Sequence, residues 1–321
     1  MMDSTGNVSR RTLLSALVGS TALSLLGTAY GEAWPSRPVK IVTGYGVGSG
    51  GDLAVRLVAE QLGKQLGQPF VVEAKPGAGN LLAARLVKES AADGHTLFAG
   101  NPTVFGPVFL KNPLDAAKEL TPVTLFSSAD AFLYTSPAFA SVKALAEAGK
   151  AEPIRFGSIN PSATMMAAML AQTLGIKYEI IPFRTAEQVI QALVANEVQG
   201  AFRSAGTYSE LVASGRMNVL LTLSPKRSSF APTVPTATEL GVPVVLMLTN
   251  GFWAPLGTPP AIIASLNAEV KRALAVPKVV EGFRGAFQFP QHTTPEAQVD
   301  SLRHENEFYA KGAAMTGYVR N

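Results

Sequence analysis

Beyond residue 38 the chain alternates short apolar runs with longer stretches in which apolar positions recur every three or four residues. The short runs predict strands at 39–43, 69–72, 96–99, 131–135, 154–157, 179–182, 201–203, 219–223 and 251–254. The longer spacing predicts helices at 52–66, 81–90, 163–174, 186–195 and 260–275. In the first helix Leu53, Leu57, Val58, Leu62 and Leu66 share a face, while Arg56, Glu60 and Lys64 point the other way. Pro259 and Pro260 open the last one, where a missing N–H costs nothing. Strands alternating with helices predict an α/β fold built on parallel sheet. With no repeat of fixed period and no low-complexity linker, the pattern favours a discontinuous two-lobed chain that crosses near Ala131 and returns near Gly251.

The first 33 residues stand apart from this pattern. Ser9, Arg10, Arg11, Thr12, Leu13 and Leu14 match a twin-arginine export signal, followed by an uncharged run to Tyr30. Ser15, Gly19, Ser20, Thr21, Ser24, Gly27 and Thr28 dilute that run below the roughly 20 strongly apolar residues of a retained membrane span. Cleavage is expected after Ala33 or Gly31, with release into the periplasm. Loss of residues 1–33 removes Asp3, Arg10, Arg11 and Glu32, so the mature chain keeps the net charge of +4.

That charge is thinly spread. No basic cluster is denser than Lys226 and Arg227, which argues against nucleic acid as a partner. The absence of cysteine excludes disulfides, thiolate metal sites and thiol nucleophiles, so about 288 mature residues must be stabilised by core burial. His95, His292 and His304 show neither H-x-E nor H-x-x-x-H spacing, and no metal is expected. Ser49 lacks the first glycine of a G-x-S-x-G nucleophile turn, because Val47 occupies that position. Catalysis is therefore not expected.

The chemistry concentrates in Gly44, Tyr45, Gly46, Val47, Gly48, Ser49, Gly50, Gly51 and Asp52, which lie between the first strand and the first helix. Two readings stand. Gly46, Gly48 and Gly51 with Glu73 at the end of the next strand fit a dinucleotide fingerprint. Alternatively, the glycines and the helix N-terminus form a cradle for a carboxylate. The stretch Gly157, Ser158, Ile159, Asn160, Pro161, Ser162 opens a helix in the second half of the chain, so a pair of facing helix N-termini could act as an anion pincer.

From Trp34 to about Tyr309 the chain resembles the periplasmic receptors of tripartite tricarboxylate transporters, the Bug proteins. The resemblance is carried by Trp34, Pro35, Ser36, Arg37 and Pro38; by Pro76, Gly77, Ala78 and Gly79; and by Asp93, Gly94, His95, Thr96 and Leu97. It continues through Pro182, Phe183 and Arg184, then Lys226, Arg227 and Ser228, then Val234, Pro235 and Thr236, then Gly241, and ends in Pro255, Gly257, Thr258, Pro259, Leu266 and Asn267. The resemblance implies a type II periplasmic binding protein fold, with two α/β lobes and a ligand cleft between them. On that reading lobe I comprises 34–131 and 250–321, and lobe II comprises 132–249.

The family's ligand positions fall on Tyr45, Gly48, Ser49, Gly50 and Asp52 in the first loop, on Asn101 and Thr103 in a third loop, and on Ser158, Asn160, Ser162 and Thr164 in the facing loop. Backbone N–H groups and water would hold most of the ligand carboxylate. The chain departs from the family in several places. Gly44, Gly46 and Val47 stand where prolines flank the family's aromatic residue, which implies a more flexible loop. The facing loop is about two residues shorter, and the order Gly251, Phe252, Trp253 replaces the usual Trp-aromatic-Gly. Gly200 and Arg203 stand where acids are frequent, so Arg203 is added to the candidate ligand residues.

The resemblance implies a monomeric receptor that binds a small carboxylate without a cofactor and hands it to membrane transporter subunits. An exported dinucleotide-dependent oxidoreductase and a receptor feeding a membrane sensor are the alternatives.

Overall fold

The computed structural model describes residues 34–204 and 208–319. The twin-arginine segment lies outside them. Ten strands appear among the described residues: β1 (Val39–Thr43), β2 (Phe70–Ala74), β3 (Thr96–Gly100), β4 (Leu120–Thr135), β5 (Ile154–Ser158), β6 (Tyr178–Pro182), β7 (Gly200–Ser204), β8 (Asn218–Thr222), β9 (Met247–Pro255) and β10 (Phe289–Pro290). The helices are α1 (Gly50–Leu66), α2 (Leu81–Lys88), α3 (Ala116–Glu119), α4 (Val142–Ala151), α5 (Pro161–Leu174), α6 (Ala186–Val194), α7 (Ser209–Ala213), α8 (Pro260–Leu274), α9 (Pro277–Gly285) and α10 (Pro295–Thr316).

The path through the sheet runs β2-β1-β3-β9-β4-β7-β5-β6, with β8 and β10 also paired to β4. β1 pairs in parallel with β2 and β3, and β5 in parallel with β6 and β7, whereas every partner of β4 is antiparallel. The sheet is therefore mixed, not all parallel. β4 is the shared strand: Leu120 to Asp130 pair with β9, and Ala131 to Thr135 pair with β7 and β8. Asp130, at the change of partners, is buried and bonded to the Ser224 hydroxyl. This is a two-lobed α/β architecture of the periplasmic binding protein type.

Every predicted strand overlaps an observed one, and 131–135 proves to be the second half of the 16-residue β4. Helix α1 buries Ala54, Val55, Val58, Ala59 and Leu62, and Leu53 is exposed. The real stripe is thus rotated towards the small residues, because α8 and α9 pack closely against this helix. The 22-residue α10 has no counterpart among the predicted helices. It packs along α5 and β4, and its Tyr309 joins the apolar core under the second lobe. No helix among the described residues is long and apolar enough to cross a membrane.

Candidate ligand-binding site

The C-terminal end of β1 runs directly into the glycine loop and α1. Ser49 is the N-cap, and its hydroxyl accepts from Asp52 N–H at 3.3 Å. Gly48 takes φ +82°, a left-handed turn that glycine enters without strain. Asp52 is buried, and its carboxylate accepts from Gly48 N–H at 2.9 Å and from Arg56 Nε at 3.0 and 3.1 Å. Asp52 therefore shapes the loop from below. With Leu53 N–H bonded to the Ser49 carbonyl, the N–H groups of Gly50 and Gly51 are the open donors of this first turn among the described residues.

Gly51 has a second task. A Cβ there would lie 2.9 Å from the Tyr45 ring, so the missing side chain is what lets the ring pack against the helix start. The Tyr45 hydroxyl donates to Asn250 Oδ1, and Asn250 Nδ2 donates to Ser127 Oγ at 2.8 Å. The ring is half-buried, but burial around the hydroxyl raises its pKa and keeps it neutral. Glu73, the acid of the dinucleotide reading, is ion-paired to Lys75 at 2.7 Å and Lys40 at 3.2 Å.

The second loop repeats the arrangement at the end of β5. Asn160 caps α5, accepting from Ala163 N–H at 2.8 Å, and Pro161 follows at the first helical position. A short hydroxyl chain stiffens the turn: Thr164 Oγ1 donates to Ser158 Oγ, which donates to the Asn160 carbonyl, both at 2.9 Å. Ser162 Oγ lies 2.5 Å from the Tyr309 hydroxyl. With Thr164 N–H bonded to the Asn160 carbonyl, Ser162 N–H is the open donor of this turn among the described residues.

Asn101 and Thr103 converge on Glu305 of α10. Asn101 Nδ2 donates to Glu305 Oε2 at 3.0 Å and Thr103 Oγ1 to the same atom at 2.8 Å, while Thr249 Oγ1 donates to Oε1. Burial pushes the Glu305 carboxyl above the usual carboxylate range, against the three bonds that favour its ionised form. Thus Asp52, Asn101, Thr103, Ser158, Asn160, Ser162 and Thr164 all spend side-chain groups inside the protein. Their hydrogen bonds fix the loops, and the first and facing loops present backbone donors.

Sequence reasoning missed Glu305, Tyr309, Thr249 and Asn250. A signal existed: Gln298, Leu302, Glu305, Tyr309 and Gly312 recur at helical spacing and form the buried face of α10.

Arg203 lies near the end of β7, cross-strand from Phe132. It is half-buried, and its Nε donates to the Tyr208 hydroxyl at 3.0 Å. Among the described residues no carboxylate lies within ion-pair distance of it. The three histidines are scattered, and no group of three or more His, Asp or Glu is placed to hold a metal among the described residues.

Comparison with known proteins decides the family. Residues 54–304 match the tripartite tricarboxylate transporter family receptor profile. The chain belongs to this receptor family. A Cupriavidus necator relative, described as a UPF0065 protein in the gbd 5' region, is 30% identical over 282 residues, which cover 85% of this chain and 86% of the relative. Protein BugT of Bordetella pertussis is 28% identical, with 89% of this chain and 91% of BugT covered. Among solved receptors, the periplasmic binding protein BugD superposes with a TM-score of 0.79 at 24% identity, over 90% of this chain and all of that one, a likeness of fold. MatC of Rhodopseudomonas palustris, solved with bound malate, gives a TM-score of 0.74 at 26% identity, over 87% of this chain and 99% of that one.

Proposed function

We propose that this receptor captures a small carboxylate in the periplasm, between lobes made of 34–131 with 250–321 and of 132–249, and presents its closed form to membrane transporter subunits. The observation that carries the reading is the pairing of two similar loops. Each follows the C-terminal end of a parallel strand, each opens a capped helix, and each leaves first-turn N–H groups free: Gly50 and Gly51 in one, Ser162 in the other. Such donors, with the positive end of a helix dipole behind them, suit a carboxylate. In this reading Tyr45, Gly48, Ser49, Gly50, Ser158 and Asn160 form the walls, Asp52, Asn101, Thr103, Ser162 and Thr164 hold those walls in shape, and Arg203 stands at the second lobe's edge. Bound malate in a family relative supports a carboxylate as the ligand. Closure is a population shift, because only the closed form lets one ligand touch both loops.

Thermal-shift screening of the mature protein against mono-, di- and tricarboxylates tests the reading. A true ligand at 100 times its dissociation constant stabilises by about 2.7 kcal/mol. Tight binding of NAD or NADP in equilibrium dialysis, with no response to any carboxylate, would replace the receptor with the oxidoreductase. Pull-down of a sensor instead of a transporter subunit would change the partner and leave the site as described.

A further inference from the structure

Glu305 stands behind both carboxylate loops. It is buried, and it accepts from Asn101 Nδ2 at 3.0 Å, from Thr103 Oγ1 at 2.8 Å and from Thr249 Oγ1. One turn further along α10, the Tyr309 hydroxyl meets Ser162, whose N–H is the open donor of the facing loop among the described residues. On the other side Asn250, the strand neighbour of Thr249, holds the Tyr45 hydroxyl, and the Tyr45 ring packs against Gly51 in the first turn of α1. Burial raises the pKa of both tyrosine hydroxyls and the negative charge of Glu305 raises them further, so the acid is within electrostatic reach of each. One tyrosine thus lies between Glu305 and the open donors of either loop.

No cation compensates this acid. Among the described residues no Lys, Arg or His lies within ion-pair distance of it, whereas buried Asp52 has Arg56 and buried Glu269 has Arg272. The titratable groups that face it are Tyr45 from the first loop and Tyr309 from its own helix. The third loop and β9 offer it only neutral Asn101, Thr103, Thr249 and Asn250, and α5 carries no charged residue. On β4, Asp130 is engaged by Ser224. Elsewhere on α10, Arg303 pairs with Asp300, His304 bonds to the Asp300 carbonyl, and Glu307 and Lys311 are exposed. The cavity of about 10 Å³ between Trp253, Gln298 and Glu305 has room for one water at most, so bulk solvent does not screen the carboxylate.

We propose that this receptor takes up a proton at Glu305 as the two loops capture their carboxylate. The inference rests on the receptor reading above and adds a regulation of its site. A second negative charge arriving in front of Tyr45 and Tyr309 meets the one already buried behind them. Unit charges about 8–10 Å apart at an effective dielectric constant of about 20 shift each other's titration by about one pH unit or more. A proton drawn from solvent onto the Glu305 carboxylate removes the repulsion. The Thr103 or Thr249 hydroxyl can turn to accept the new O–H, so the third loop and β9 stay bonded to α10. Because the ligand raises the pKa of the bound form, affinity falls as pH rises from the free value to the bound one.

Isothermal titration of the mature protein with malate, adipate and citrate tests this, in paired buffers of different ionisation enthalpy from weakly acidic to alkaline pH. Proton uptake should peak at about half a proton or more per ligand, and affinity should fall about tenfold across the same window. Glu305→Gln should abolish the peak and flatten the affinity profile there. Thr249→Val removes one bond that favours the ionised carboxylate and should move the peak to higher pH, a test that stands if Glu305→Gln does not fold. Binding without proton uptake, an unchanged peak in Glu305→Gln, or a peak unmoved by Thr249→Val would overturn the linkage and leave the receptor reading intact. Failure of all three acids to bind would overturn the receptor reading and the linkage with it.

Discussion

Glu305 and Tyr309 stand one turn apart on the buried face of α10, and they reach different loops: Glu305 holds Asn101 and Thr103, while Tyr309 meets Ser162 at the start of α5. One rigid helix therefore fixes the relative placement of the third loop and the facing loop. Both residues are buried, and the negative charge of Glu305 also raises the pKa of Tyr309. Tyr309→Phe keeps the ring in its apolar setting against Phe109 and Phe308 but strands the Ser162 hydroxyl. The expected loss is about 1 kcal/mol in urea denaturation, together with weaker carboxylate binding. Wild-type values for both would mean that α10 does not hold the facing loop through this contact.

Glu305 gives stability a pH dependence. Burial raises its folded pKa above the unfolded one, so its contribution is full below the ordinary carboxylate range and is lost as pH rises through the raised value. Glu305→Gln keeps a side chain of the same shape and removes the titration. Chemical denaturation from acidic to neutral pH should therefore find the variant gaining on the wild type as pH increases. A gap that stayed constant, or ran the other way, would mean that the three donors hold the carboxyl ionised at or below its unfolded pKa.

Asp52 sits under the glycine loop, and its roles separate by substitution. Arg56 is substantially exposed, so the ion pair is screened by water and contributes little by itself. The bond from Gly48 N–H to the buried carboxylate is the larger effect, because that N–H loses its partner. Asp52→Ala is expected to cost about 1–3 kcal/mol in stability and to weaken carboxylate binding by loosening the loop. A variant of unchanged stability with reduced binding would instead place the carboxylate at the ligand.

Much of this architecture was legible because β-strands here are short, apolar and separated by helices of ordinary spacing. The first half of β4 was not, since Thr121, Pro122, Thr124, Ser127 and Ser128 interrupt its apolar letters and its burial comes from β9 and β10. Helix α10 was hidden for a related reason: Gln298, Glu305 and Gly312 occupy buried positions that a hydrophobicity pattern reads as exposed. The two capped loops could be found from glycine, proline and cap residues alone. The bond that ties the third loop to α10 could not, because Asn101 and Glu305 are 204 residues apart, as are the bonded Gln65 and Glu269. Polar groups that serve one another across such distances carry no periodicity.

Gly51 and Gly46 offer a matched comparison within one loop. A Cβ on Gly51 would meet the Tyr45 ring at 2.9–3.0 Å, whereas one on Gly46 would meet nothing within 4 Å. Ala is favoured over Gly by about 1 kcal/mol inside a helix, so Gly51→Ala gains propensity in the first turn of α1 while displacing the ring. The ring cannot shift without disturbing the hydroxyl bond to Asn250 that places Tyr45 beside the open N–H donors. Gly51→Ala should therefore weaken carboxylate binding severalfold in isothermal titration even where its stability is unchanged, and Gly46→Ala should bind as the wild type does. Equal affinities for the two variants would remove Tyr45 from the wall of the site and leave the cradle to the backbone of α1 alone.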